Sequence, residues 1–170
     1  MALLETSIMP PGQVAFAPSP APLSTAASKA PGVTILHAPH ATGSAADAAL
    51  TSLRGLKGAR RRVVWCNSTD LVHTSAESRT WGQKIVEQGG ANMVVVCGAS
   101  AREIAVAARD AGLPLGRVIV CRDEATARNV LGDSMTAGDA LLALDVDAES
   151  CQTLAERLEA KFERELITPR

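Results

Sequence analysis

Short apolar runs separated by stretches of helical spacing dominate the pattern of this chain. Three runs in its middle share one design: each is rich in β-branched residues and lacks the apolar–polar alternation of a strand with one wet face. Such runs are typical of strands that are buried on both faces. The predicted strands are 33–36, 62–66, 93–97, 117–121 and 140–144.

Between these runs, apolar positions recur every three or four residues, as in amphipathic helices. Thr74 with Glu77, and Ser100 with Glu103, have the form of a capping box, and Ser44 and Asp147 are further candidate caps. The predicted helices are 44–54, 75–88, 101–111, 123–131 and 148–166.

Strands that alternate with helices indicate a parallel sheet covered by helices on both faces. The predicted fold is therefore a three-layer α/β domain with a mostly parallel sheet, Rossmann-like in its organisation. We place this domain at residues 33–167, after a segment of different composition at residues 1–32.

The segment 1–32 contains six prolines, and its only charged residues are Glu5 and Lys29. Proline removes backbone donors and interrupts helices and ladders, so we expect an extended or disordered arm without sheet pairing. Residues 1–9 are more apolar than a solvated tail requires. Either they are frayed, or they dock on another protein as a short linear motif.

Composition excludes several classes of partner. The chain has two Phe, two Trp and no Tyr, which leaves too few aromatic rings for stacking single-stranded bases. A net charge of −1 provides no long-range attraction to nucleic acid or to anionic membranes. No apolar run approaches the roughly 20 residues of a membrane span, and no secretory pattern is present, so we expect a cytoplasmic protein.

The four cysteines are Cys66, Cys97, Cys121 and Cys151, and none forms a C-x-x-C pair. Three of them end predicted strands, where cysteine serves as a small hydrophobe. They are interpreted as inert core thiols, with a reactive or metal-binding cluster as the alternative. Free buried thiols suit a reducing compartment.

Ligands of open parallel sheets bind beyond the carboxyl ends of the strands. The sequence has no phosphate-binding loop and no dinucleotide fingerprint there, so no cofactor, resident metal or catalytic residue is predicted. An alternative uses the H-x-x-H spacing of two histidines, with an aspartate from a neighbouring loop, for a metal or for proton transfer. The candidate ligand-binding residues at these ends are His37, His40, Asn67, Ser68, Asp70, Ser100 and Arg122.

The order of these segments resembles the C-terminal domain of the Mur ligases, ATP-dependent amide-forming enzymes that build peptidoglycan precursors. The resemblance covers residues 33–162 and is strongest to the member that adds D-alanyl-D-alanine. Four stretches occupy, in order, the places of four family motifs. Residues 36–44 correspond to the acidic loop D-D-x-Y-N-A-N-P-x-S, 66–72 to G-D-M-x-E-L-G, 94–98 to V-x-x-V-G, and 138–146 to G-D-x-V-L-V-K-G-S.

The residues that carry the family's chemistry differ in this chain. Residues 37–43 lack the aspartates of the acidic loop, and Leu144 stands at the position of the lysine. The ATP-binding central domain, with its G-T-[NS]-G-K-[ST] loop, has no counterpart. The resemblance thus implies the fold, and the differences imply a degenerate, stand-alone domain without the ligase reaction.

The leading hypothesis is a non-catalytic accessory or assembly subunit of a larger protein complex, with residues 1–32 available to reach a protein partner. One alternative is a small-molecule domain that binds an amino acid or peptide at the strand ends. Another is a ligase that acts with a separate ATP-binding subunit, and a third is an enzyme of another kind that uses His37 and His40.

Overall fold

The chain folds as a helix–sheet–helix sandwich in a computed structural model. The structure describes residues 24–26, 32–40, 42–68 and 74–167, with side chains described between residues 32 and 161. Within these ranges, no helix is both long and apolar enough to cross a membrane.

A sheet of six strands forms the middle layer, in the order β1-β2-β6-β3-β4-β5. Strands β2 to β6 run parallel to one another, whereas β1 pairs antiparallel with β2. The strands are β1 (Ser24–Ala26), β2 (Thr34–Ala38), β3 (Arg62–Asn67), β4 (Met93–Cys97), β5 (Val118–Val120) and β6 (Ala140–Leu144).

Five α-helices form the two outer layers of the described chain. The first three cover one face of the sheet and the last two cover the other, as the membership of two separate apolar clusters shows. The helices are α1 (Ser44–Gly55), α2 (Ser75–Glu87), α3 (Ala101–Asp110), α4 (Glu124–Ser134) and α5 (Ala148–Ile167). A short 3₁₀ turn at Leu115–Arg117 leads into β5.

The apolar runs are buried on both faces because successive side chains of a strand point to opposite sides of the sheet. In β3, Val64 and Cys66 lie in the cluster under α1 to α3, whereas Val63 and Trp65 lie in the cluster under α4 and α5. All four side chains are at most 1% exposed. The absence of alternation in the sequence follows directly from this arrangement.

The path of the chain reverses between β3 and β6, and we call the region at the carboxyl ends of these two strands the crevice. The connection after β3 turns to one face of the sheet, and the connection after the neighbouring β6 turns to the other. A reversal of this kind opens a gap between adjacent loops, which is where ligands of open α/β sheets bind.

The predicted three-layer α/β fold, its five parallel strands and its five helices are confirmed. The expectation that residues 1–32 hold no sheet pairing is wrong for Ser24–Ala26, which pair with β2 in the register Ser24–His37, Thr25–Leu36 and Ala26–Ile35. Three residues suffice for this ladder because the prolines at positions 22 and 31 lie outside it. The domain boundary at residue 33 stays a prediction.

Two of the predicted helix caps are correct and two are wrong. Thr74 forms the full capping box with Glu77, and the Asp147 carboxylate accepts a hydrogen bond from the Ser150 N–H. Ser100 forms no side-chain cap, because its backbone (φ −99°, ψ 14°) is not in the extended conformation from which a serine oxygen reaches the first turn. Ser44 lies inside α1, one residue after the N-terminal cap position.

Candidate functional site

A polar network fills the crevice at the carboxyl ends of β3 and β6. Asn67, the last residue of β3, donates from Nδ2 to Glu124 Oε1 at 2.5 Å. Glu124 is the first residue of α4, and its carboxyl group is hydrogen-bonded to that of Asp147, which precedes α5. The network therefore joins a strand end to the N-termini of two helices.

Residues at the N-terminus of α5 complete this network. Asp147 Oδ1 accepts from the Ser150 N–H at 2.7 Å, and Arg128 Nη1 lies 3.4 Å from Ser150 Oγ. The Ser150 residue is buried, with 6% of its surface exposed. Because Asn67 bonds Glu124 and Arg128 reaches Ser150, the network links β3 to α4 and α4 to α5.

The two carboxyl groups of this pair hold a proton unequally. Burial raises the pKa of Glu124, and the hydrogen bond with Asp147 raises it further. The same hydrogen bond, with donors from Ser150 and Glu149, lowers the pKa of Asp147 to about 2. Since two adjacent carboxylates disfavour double ionisation, a proton on this pair resides on Glu124. The pair can donate a proton or accept a cationic group.

Glu124 and Asp147 were not among the predicted ligand-binding residues, although Asp147 was a predicted helix cap. A signal was present: each lies three residues after a predicted strand, in the region where ligands of α/β sheets bind. What the sequence did not give was the strand order, which places β3 beside β6.

Ser68 and Ser100 meet, but in a structural turn. Ser68 is fully buried; its Oγ donates to the Cys97 carbonyl at 3.0 Å and accepts from the Ser100 N–H at 3.0 Å. Gly98, with φ +96°, passes so close that an added Cβ would lie 2.7 Å from Ser68 Oγ. These contacts use the polar groups that a ligand would require.

The two histidines lie against the loop that follows β6. His37 Nε2 is 2.8 Å from the Val146 carbonyl, to which the ring N–H donates. His40 Nδ1 lies 3.7 Å from Asp145 Oδ1, and its side chain is 89% exposed. Each ring thus has a different neighbour, and no group of three metal-ligating side chains occurs in the described part of the chain.

Arg122 is exposed and donates from Nε to Asp123 Oδ2 at 2.9 Å. Hydrogen bonds from the Thr126 hydroxyl and N–H, together with Arg122, lower the pKa of Asp123 to about 2. Of the predicted residues that the structure describes, Asn67 contributes a side chain to the hydrogen bonds of the crevice network. Asp70 lies outside the described residues, so its predicted role stays a prediction.

All four cysteines are free and buried, as expected for core thiols. Burial raises the pKa of Cys66, and it raises the pKa values of Cys97 and Cys151 to about 12. Burial also raises the pKa of Cys121. Because the thiolate is the reactive form, these side chains are poor nucleophiles and poor metal ligands at neutral pH.

A shallow cleft lies at the opposite end of the strands from the crevice. It is found at the amino ends of β2 and β6 and is lined by Thr34, Lys57 and Asp139 among others. Asp139 is engaged there in an ion pair with Arg61 and accepts from the Thr136 N–H at 2.8 Å. Burial raises the pKa of Asp139, but these bonds outweigh burial and keep it below its ordinary value. The cleft is far from the crevice, and the Asp139 carboxylate in it is held by these structural bonds.

Comparison with known proteins adds a likeness of fold. No family model matches the sequence, and no curated protein matches it at a significant level. Among solved structures, a domain from a protein described as a UDP-N-acetylmuramate:L-alanyl-gamma-D-glutamyl-meso-diaminopimelate ligase of Haemophilus ducreyi is similar, with a TM-score of 0.51 and 14% identity. The match covers 77% of this chain and 92% of that domain. At this identity it supports a Mur ligase-like fold and says nothing of activity.

Proposed function

We propose that this chain is a non-catalytic accessory or assembly subunit of a larger protein complex, built on a domain with the fold of a Mur ligase C-terminal domain. The fold likeness supports the scaffold. The residues at the strand ends support the loss of ligase chemistry. The compartment that we propose is the cytoplasm, because free buried thiols suit reducing conditions.

The observation that carries the proposal is Leu144, which stands where the resemblance places the family's lysine. Its side chain is fully buried and belongs to the apolar cluster under α1 to α3, together with Leu36 and Leu142. A lysine at this position would place an ammonium group in an apolar core, at a high cost in desolvation. Position 144 is therefore part of the apolar core, and a side chain there cannot present a charge to a substrate.

The other strand-end groups are also committed to the fold. Ser68 bonds the backbone of β4, His37 bonds the loop after β6, and Asn67 bonds Glu124. A loop whose polar groups bind its own neighbours is suited to presenting a fixed surface to a protein. Residues 1–32 are the proposed tether, and residues 1–9 of it lie outside the described residues.

The test is purification of the tagged full chain from its native source, with quantification of the proteins that accompany it. We expect a protein in fixed molar ratio to the full chain, and its loss both from a chain that lacks residues 1–32 and from a chain that begins at Leu23 and so keeps β1. That protein must then rebind the purified full chain with a measurable dissociation constant. If nothing is present in fixed ratio, or rebinding fails, the proposal is wrong.

The second candidate is a domain that binds an amino acid or peptide at the crevice, and the Glu124–Asp147 pair is the observation that favours it. An ammonium group would satisfy the second negative charge of the pair at neutral pH. A ligand that binds the native state raises the melting temperature by mass action. Stabilisation by an amino acid or D-dipeptide, lost in Glu124→Gln, would support this candidate. A ligase that acts with a separate ATP-binding subunit is disfavoured by Leu144.

A further inference from the structure

We draw no further inference here: the strongest candidate, the half-buried Arg128 guanidinium one turn after Glu124 on α4, whose Nη1 lies 3.4 Å from Ser150 Oγ at the start of α5, belongs to the crevice already described, and the zwitterionic ligand that it would suit is the amino acid already considered there.

Discussion

The Glu124–Asp147 pair shows how single residues of this chain respond to pH. The pKa of Glu124 is raised by burial and by Asp147, so the folded state favours its protonated form. Its contribution to stability is complete below the ordinary value of 4.5 and is lost as the pH rises through the folded pKa. Asp147 has the opposite sign: its contribution is present above 3.8 and is lost as the pH falls towards about 2.

Glu124→Gln should therefore stabilise the protein at pH 8 and give little or no gain at pH 4. The amide keeps an acceptor for Asn67 and a donor for Asp147 but carries no charge at any pH. We expect a gain of up to about 1 kcal/mol at pH 8, the range of partly exposed charge pairs. Urea unfolding of both proteins at the two pH values measures the difference.

Glu149→Gln is the matched control for this comparison. Glu149 is exposed in the first turn of α5, where a negative charge interacts favourably with the helix dipole. Its replacement should lower stability at pH 8 by roughly 0.3–1 kcal/mol. A gain in the control, or an equal effect of Glu124→Gln at both pH values, would contradict the account of the pair.

At the scale of elements, the turn from β4 into α3 depends on the absence of a side chain at Gly98. This residue has φ +96°, and an added Cβ would lie 2.7 Å from Ser68 Oγ, 2.8 Å from Asn67 Oδ1 and 2.9 Å from Ser68 N. Gly112, after α3, has a similar φ of +104° with no atom within 4 Å of an added Cβ. The two glycines thus separate backbone strain from steric overlap.

Gly98→Ala should destabilise the protein more than Gly112→Ala. A left-handed backbone costs about 1–2 kcal/mol for a residue with Cβ, and this applies to both variants. Overpacking adds about 1–3 kcal/mol at Gly98 alone. Denaturant unfolding of the two variants measures the excess. Equal losses would show that the Ser68 turn relaxes without cost.

Elements were predictable from the sequence to the extent that their signals are local. The apolar runs and the Thr74 capping box gave the strands and α2 because burial on both faces and caps leave marks within a few residues. Strand β1 escaped prediction because its ladder depends on β2, not on its own composition. The crevice network escaped because β6 lies between β2 and β3, an order that no local pattern specifies.

At the scale of the whole molecule, the two edges of the sheet determine where a strand of another chain could be added. One edge is covered from within by β1, and the other is β5, whose last residue Val120 is 53% exposed. Natural sheets avoid open edges because these promote association. Among the described residues only the β2 edge is covered, and this asymmetry depends on three residues at positions 24–26.

Removal of β1 should have consequences that removal of the preceding residues lacks. A chain that begins at Leu23 keeps β1, whereas a chain that begins at Gly32 exposes the outer side of β2. Lost ladder hydrogen bonds contribute about 0.5–1.5 kcal/mol each, so the shorter chain should melt roughly 2–8 °C lower.

The shorter chain should also associate through the exposed edge of β2, which remains when β5 is blocked by Val120→Lys. Calorimetry and sedimentation of the two truncated chains, each with and without Val120→Lys, separate the edges. If both chains melt together and associate alike, β1 does not cover β2 in solution. If only the shorter chain gains association that Val120→Lys cannot remove, the three residues of β1 act as the cover that keeps this sheet from pairing at both edges.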